Sequence, residues 1–170
     1  VGTRRPVWTT QLGSPMAKVI PRGANQLVAI SAAGDLYNVT IGAGRGVLSP
    51  TQSARKANDT YRFNHTLELG DGRVALFDEV NGQGVIYDPK AGQLQRTTYR
   101  MGGDAAACSP VAFRDGVLVP MRGGEIAVFN PASGTPQYSA YHPKLGPGEA
   151  VQWSRPALVK NGKQFVIAND

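Results

Sequence analysis

Reactive side chains are scarce in these 170 residues: two histidines, His65 and His142, and a single cysteine, Cys108. The histidines stand far apart in the chain and lack the close spacing of a metal-ligand pair. Cys108, alone at the head of the apolar run "AAACSPVAF", excludes an internal disulfide and any Cys-based zinc cluster. It reads as a small buried hydrophobe rather than a reactive thiol. The acidic stretch "DEVNG", Asp78 to Gly82, has the oxygen ligands calcium prefers but not the ligand density of a calcium loop, so it reads as a turn between strands. No Gly-x-Ser-x-Gly elbow and no phosphate-cradling glycine loop occurs. Asn-x-Thr triplets at Asn38, Asn58 and Asn64 read as incidental. No catalytic, cofactor-binding or metal-binding residue is therefore assigned, and no cofactor is expected.

Composition points to a scaffold of turns. Twenty-one glycines and twelve prolines suit tight turns rather than helices, and 41% hydrophobic content is enough to bury a core. The net charge is +6, yet Lys and Arg are dispersed, Arg4-Arg5 and Arg55-Lys56 being the longest basic runs. A nucleic-acid surface needs cations clustered on one face, so nucleic acid is not an expected partner. No apolar stretch is long enough to span a bilayer, and no signal peptide is present in a chain that starts at Val1 without a methionine.

The elements that would carry any function are repeated. "GDLYNVTIGAGRGVL" (Gly34 to Leu48), "GQGVIYDPKAGQLQR" (Gly82 to Arg96) and "GEIAVFNPASGTPQY" (Gly124 to Tyr138) share one outline with few identical residues. Gly72, Gly116 and Gly162 recur 44 and 46 residues apart, a period that fits propeller blades. Each unit opens with a short alternating run and turns at "GDG", "RDG" or "KNG", the strongest short hairpin signal. A nearly continuous apolar strand follows ("QLVAIS", "RVALFD", "VLVPM", "QFVIA"), as expected where both faces are covered. The third strand ends in Asp88 or Asn130 with glycine four residues on, or Thr40 with Gly44. Such a side chain can bond turn amides while the glycine turns left-handed. The fourth strand is expected to carry Val47-Leu48, Leu94 or Tyr138. "SARKANDTYR" has no apolar stripe and reads as a loop.

These repeats resemble the quinoprotein-dehydrogenase-like β-propellers, the PQQ-like repeat family. That repeat reads roughly Gly-x-Leu-Tyr-Ala-Leu-Asp-Ala-x-Thr-Gly-x-x-x-Trp. Gly124, Ile126, Phe129, Asn130, Ser133 and Gly134 match or substitute conservatively; Gly34, Leu36, Tyr37 and Gly44 match in the first unit, and Gly82, Asp88 and Gly92 in the second. The resemblance implies an all-β partial propeller of four-stranded antiparallel blades, expected to belong to a propeller of seven or eight. It divides the chain into an outer strand of a preceding blade (1–12), three blades (13–50, 51–100, 101–141) and the first half of a fourth (142–170). Trp8 and Tyr138 fall at the family's docking-aromatic position and are expected to pack between blades. The enzymes of the family resemble one another in a Cys-Cys pair, a tryptophan under the quinone and an acidic calcium cluster, and none of these can be matched here.

In such a meander the turns joining second and third strands share a face with the connections between blades. Two of those connections are long, "SPTQSARKANDTYR" and "YHPKLGPGEAVQWSR", and long loops on a rigid scaffold concentrate binding residues. The candidate interaction face is thus Arg55, Lys56, Asp78, Glu79, Asp104, His142, Lys144, Trp153 and Arg155. The leading expectation is a non-catalytic propeller segment that scaffolds a protein or peptide partner, closest in type to outer-membrane-assembly propellers. Part of a quinoprotein oxidoreductase and a glycan-binding propeller are the alternatives. Open blade edges allow self-association, and the resemblance implies a periplasmic, cell-envelope or secreted location.

Overall fold

The computed structural model describes residues 9–42, 48–53, 62–78, 83–95 and 97–169. These residues contain thirteen strands and no helix. The first sheet runs β1 (Met16–Pro21), β2 (Gln26–Ser31), β3 (Asp35–Thr40), β4 (Gln52–Ser53), and the second runs β5 (Phe63–Glu68), β6 (Val74–Asp78), β7 (Gln83–Asp88), β8 (Gln93–Gln95). Both are antiparallel meanders in sequence order. The third sheet holds β9 (Val111–Phe113), β10 (Gly116–Pro120) and β11 (Ile126–Phe129). Residues 136–141 lie along its outer side through bridges Phe129↔Pro136 and Ile126↔Tyr141. In the fourth unit β12 (Ala157–Val159) pairs with β13 (Gln164–Val166), and a bridge between Trp153 and Asn169 extends the hairpin. First strands β1, β5 and β9 neighbour one another in turn. The architecture is an all-β partial propeller, as the repeat implied.

The turns follow from local chemistry. Asp88 Oδ1 accepts hydrogen bonds from the N–H groups of Lys90 (2.8 Å) and Ala91 (3.2 Å), and Asn130 Oδ1 from those of Ala132 (2.8 Å) and Ser133 (3.1 Å). Gly92 and Gly134 then take φ of 65° and 69°, in the left-handed region that glycine tolerates. In the "RDG" turn the expected positive φ belongs to Arg114 (54°) instead of the glycine. Gly116 is needed for space: a Cβ there would lie 2.2 Å from Gln137 Oε1 and 2.5 Å from Val128 Cγ1. The first blade's fourth strand also departs from expectation. It forms at Gln52–Ser53, beyond the expected Leu48, whose N–H bonds the Gln11 carbonyl (3.3 Å); Val47 lies outside the described residues.

Alternation along the second and third strands splits each blade between two seams. Val74, Leu76, Val85 and Tyr87 join Val28, Ile30, Leu36 and Phe63 between the first and second blades. The intervening Ala75, Phe77 and Ile86 join Val117, Val119, Ala127 and Phe129 between the second and third. Leu118, Ile126 and Val128 face Trp153, Phe165 and Ile167 of the fourth unit. The apolar strands β6 and β10 are therefore covered on both sides, whereas β13, within "QFVIA", is exposed, Val166 being 60% accessible. Full burial of one such side chain, Phe77 for example, stabilises by about 1.5–3 kcal/mol.

One polar clamp ties the outer strands. Gln52 donates from Nε2 to the Gly92 carbonyl (3.0 Å) and accepts at Oε1 from the Leu94 N–H (3.1 Å), so β4 reaches across to the turn and start of β8. Within the second seam, Tyr99 fills the place of a missing side chain. Leu36 and Ile126 stand third in their repeats, but Gly84 stands there in the second, and a Cβ on it would come 2.3 Å from Tyr99 Cδ2. The Tyr99 ring leans against Phe77 (centroids 4.8 Å apart) and meets Phe129 edge-on (5.6 Å).

Candidate functional site

The β10–β11 turn, Met121 to Glu125, is where connections from both sides converge. From the second blade's side, Asp104 Oδ2 accepts the Gly123 N–H (2.8 Å), its Oδ1 accepts the Ala105 N–H (2.7 Å), and the Arg122 N–H reaches the Ala105 carbonyl (2.9 Å). From the fourth unit's side, Trp153 Nε1 donates to the Gly124 carbonyl (3.2 Å). A Cβ on Gly124 would meet Val151 (3.2 Å) and Pro143 (3.5 Å), so the 142–156 connection lies close against this turn. Asp104 thus shapes its surroundings through backbone bonds, which fixes the turn's conformation.

The predicted face is only partly assembled. His142, Lys144 and Arg155 are exposed on the 142–156 connection, and Asp104 is half-buried beside the turn that this connection covers. Asp78 differs from expectation: it is fully buried at the end of β6, where it pairs across the sheet with Gln83, and offers nothing to an open surface. Trp153 is not an exposed platform either, because its ring packs with the third blade's Phe113, Leu118 and Ile126. It takes the inter-blade docking role, whereas Tyr138 is 42% exposed and donates its hydroxyl to Asp115 Oδ1 (2.9 Å) in its own blade. Arg55, Lys56, Glu79 and Trp8 lie outside the described residues.

Cys108 is half-buried and its thiol donates to the Ser154 carbonyl (3.3 Å), joining third and fourth units. Burial raises its pKa, with Arg155 opposing weakly, so the nucleophilic thiolate is disfavoured. Burial also holds the Tyr99 hydroxyl far above the usual phenol range. Among the described residues no three His, Cys, Asp or Glu side chains are grouped to hold a metal ion.

A second surface escaped the sequence reading. Phe113, Leu118, Ile126, Val128, Tyr141 and Phe165 line a groove of about 290 Å³ between the third blade and the β12–β13 hairpin, with Tyr138 and Arg114 at its margin. The Arg114 guanidinium lies over the rings of Phe113 (5.2 Å) and Tyr138 (5.9 Å). A usable signal was present: Arg22, Arg73 and Arg114 each occupy the turn between the first two strands of successive units.

No family model matches the chain, and no curated protein matches it. Solved structures do. BamB from Moraxella catarrhalis superposes with TM-score 0.58 at 16% identity, covering 91% of this chain and 43% of that one. The C-terminal WD40 domain of Sif2 gives 0.58 at 14% identity, covering 98% and 47%. The extracellular domain of the one-component system BT4673 from B. thetaiotaomicron gives 0.54 at 15%, covering 94% and 20%. The chain spans less than half the length of each of these structures. Likeness at these identities shows the fold alone, and that fold is the β-propeller.

Proposed function

We propose that this chain is a non-catalytic propeller segment of PQQ-like repeat type that scaffolds a protein partner through the surface around the β10–β11 turn. The observation that carries this reading is the convergence of Asp104 and Trp153 on that turn from two sides. It gives a backbone-fixed platform with His142, Lys144 and Arg155 exposed on the adjoining connection. Mixed charge around a rigid turn suits a polar protein surface better than a small apolar ligand. Propeller neighbours of the BamB and WD40 kinds support a protein partner by analogy of fold. BamB and the BT4673 extracellular domain support a cell-envelope or secreted location in the same way.

The test uses a photo-cross-linking residue at Lys144, and a second placed at Lys160 in the opposite turns. Recurrent adducts to one protein from position 144, absent from position 160 and reduced in Asp104→Ala, are expected. Equal labelling from both positions rejects the face. Stoichiometric uptake of pyrroloquinoline quinone with calcium, followed by absorbance, would replace the scaffold reading with the oxidoreductase.

A further inference from the structure

The apolar pattern that builds one seam would serve almost equally well in another. Leu36, Gly84 and Ile126 stand third in successive repeats, and Leu36 and Ile126 each pack into the seam ahead of their own blade. The partners met there are of the same kinds in every seam, branched aliphatic side chains and aromatic rings. Burial of such surface is favourable without being directional, so it does not by itself specify which blade docks on which. Misassembled and swapped repeats are the characteristic errors of chains built this way.

The seam between second and third blades departs from this common pattern at one point. Gly84 presents no side chain toward the third blade, and Tyr99, from the segment joining the two blades, takes that space, its Cδ2 standing where a Cβ on Gly84 would lie. The ring is held from both sides, by Phe77 of the second blade and Phe129 of the third. The backbone around it is fitted to the third blade as well. The Arg100 N–H bonds the Gly134 carbonyl (2.9 Å), and the Thr98 carbonyl leaves no room for a Cβ on Gly134. The seam between first and second blades carries a different device, the Gln52 amide bonded to Gly92 and Leu94. Leu36, fully buried, fills in the first blade the place that Gly84 leaves open in the second.

We infer that Gly84 and Tyr99 form a key that fixes blade order during folding. The third blade, arriving with the 97–101 segment, fits the second blade and is refused by the first, where the Tyr99 ring would collide with a side chain in the position of Leu36. A steric hole and its matching ring thus supply the discrimination that apolar burial lacks, a device against swapped and misordered repeats. The key lies inside a seam and is independent of the surface around the β10–β11 turn, so its failure would leave that reading untouched.

The test is refolding of the whole chain from denaturant. Lys18 Nζ of the first blade lies 2.5 Å from Glu68 Oε1 of the second, so a zero-length carbodiimide cross-link between them, quantified by peptide mass spectrometry, reports correct docking of these blades. Gly84→Leu combined with Tyr99→Ala gives the second blade a side chain like Leu36 and removes the ring, which keeps the seam filled. Gly84→Leu alone and Tyr99→Ala alone should each lower the unfolding midpoint, and the double variant should recover most of the combined loss. Despite that recovery, it should refold with less Lys18–Glu68 cross-link and more swapped dimer and aggregate than the unaltered chain. Tyr99→Phe, which keeps the ring, should refold like the unaltered chain. A double variant that recovers no stability would show that the pair is not complementary. One that refolds with unaltered cross-link and species would show that apolar burial alone orders the blades. Either result overturns the proposal.

Discussion

The seam between second and third blades and the seam between third and fourth units are built on one template but closed differently. In the former, a tyrosine borrowed from the connecting segment replaces the side chain that Gly84 lacks, and the space is filled. In the latter, Trp153 docks one end through its bond to Gly124, while Tyr138 and Tyr141 remain 42% and 57% exposed. A propeller seam is thus a volume to be filled from whichever segment reaches it.

The largest expected effect lies in the filled seam. Tyr99→Ala should cost about 3–5 kcal/mol in denaturant unfolding, because a ring 1% exposed leaves a cavity between two blades. The equivalent truncation in the open seam, Tyr141→Ala, should cost less than about 1 kcal/mol; equal losses would abolish the contrast. Gly134→Ala should follow at about 2 kcal/mol or more, since it combines a φ of 69° with a Cβ 2.4 Å from the Thr98 carbonyl oxygen. Tyr99→Phe sharpens the comparison in the other direction. The buried Tyr99 hydroxyl has no hydrogen-bond partner among the described residues, so its removal should stabilise the chain by about 1 kcal/mol, seen as a higher Tm.

The smallest effect is electrostatic. The backbone N–H of Arg73 holds the Asp71 carboxyl below its usual range, and the Arg73 side chain assists. A depressed carboxylate stabilises the fold above its unfolded-state pKa and loses that contribution as pH falls through the folded value. Stability should therefore decline slightly on acidification below the ordinary carboxylate range, and Asp71→Asn should flatten that slope by no more than about 0.5 kcal/mol, given the pair's exposure.

The features legible in the sequence were those the backbone demands locally. Asp88, Asn130 and their following glycines announced the same turns that the structure contains, because an Asx side chain and a left-handed glycine act within five residues. The double coverage of β6 and β10 was readable for a similar reason, whereas "QFVIA" was expected to be covered and is exposed. What escaped depends on distant partners. Counting along the repeat placed the first blade's fourth strand before its real position, and nothing near Gly84 in sequence says that Tyr99 will occupy its space. Trp153 looked free in a polar connection because its acceptor, Gly124, belongs to the neighbouring unit.

The division of each middle strand between two seams also sets how the molecule opens. Val74 and Leu76 report to one neighbour, Ala75 and Phe77 to the other, so a blade cannot loosen without exposing apolar surface on both adjoining blades. Stability then propagates by nearest-neighbour coupling along the arc. Amide exchange should be slowest in β6 and β10, flanked on both sides, and fastest in the β12–β13 hairpin, where Leu158, Val159 and Val166 already face solvent.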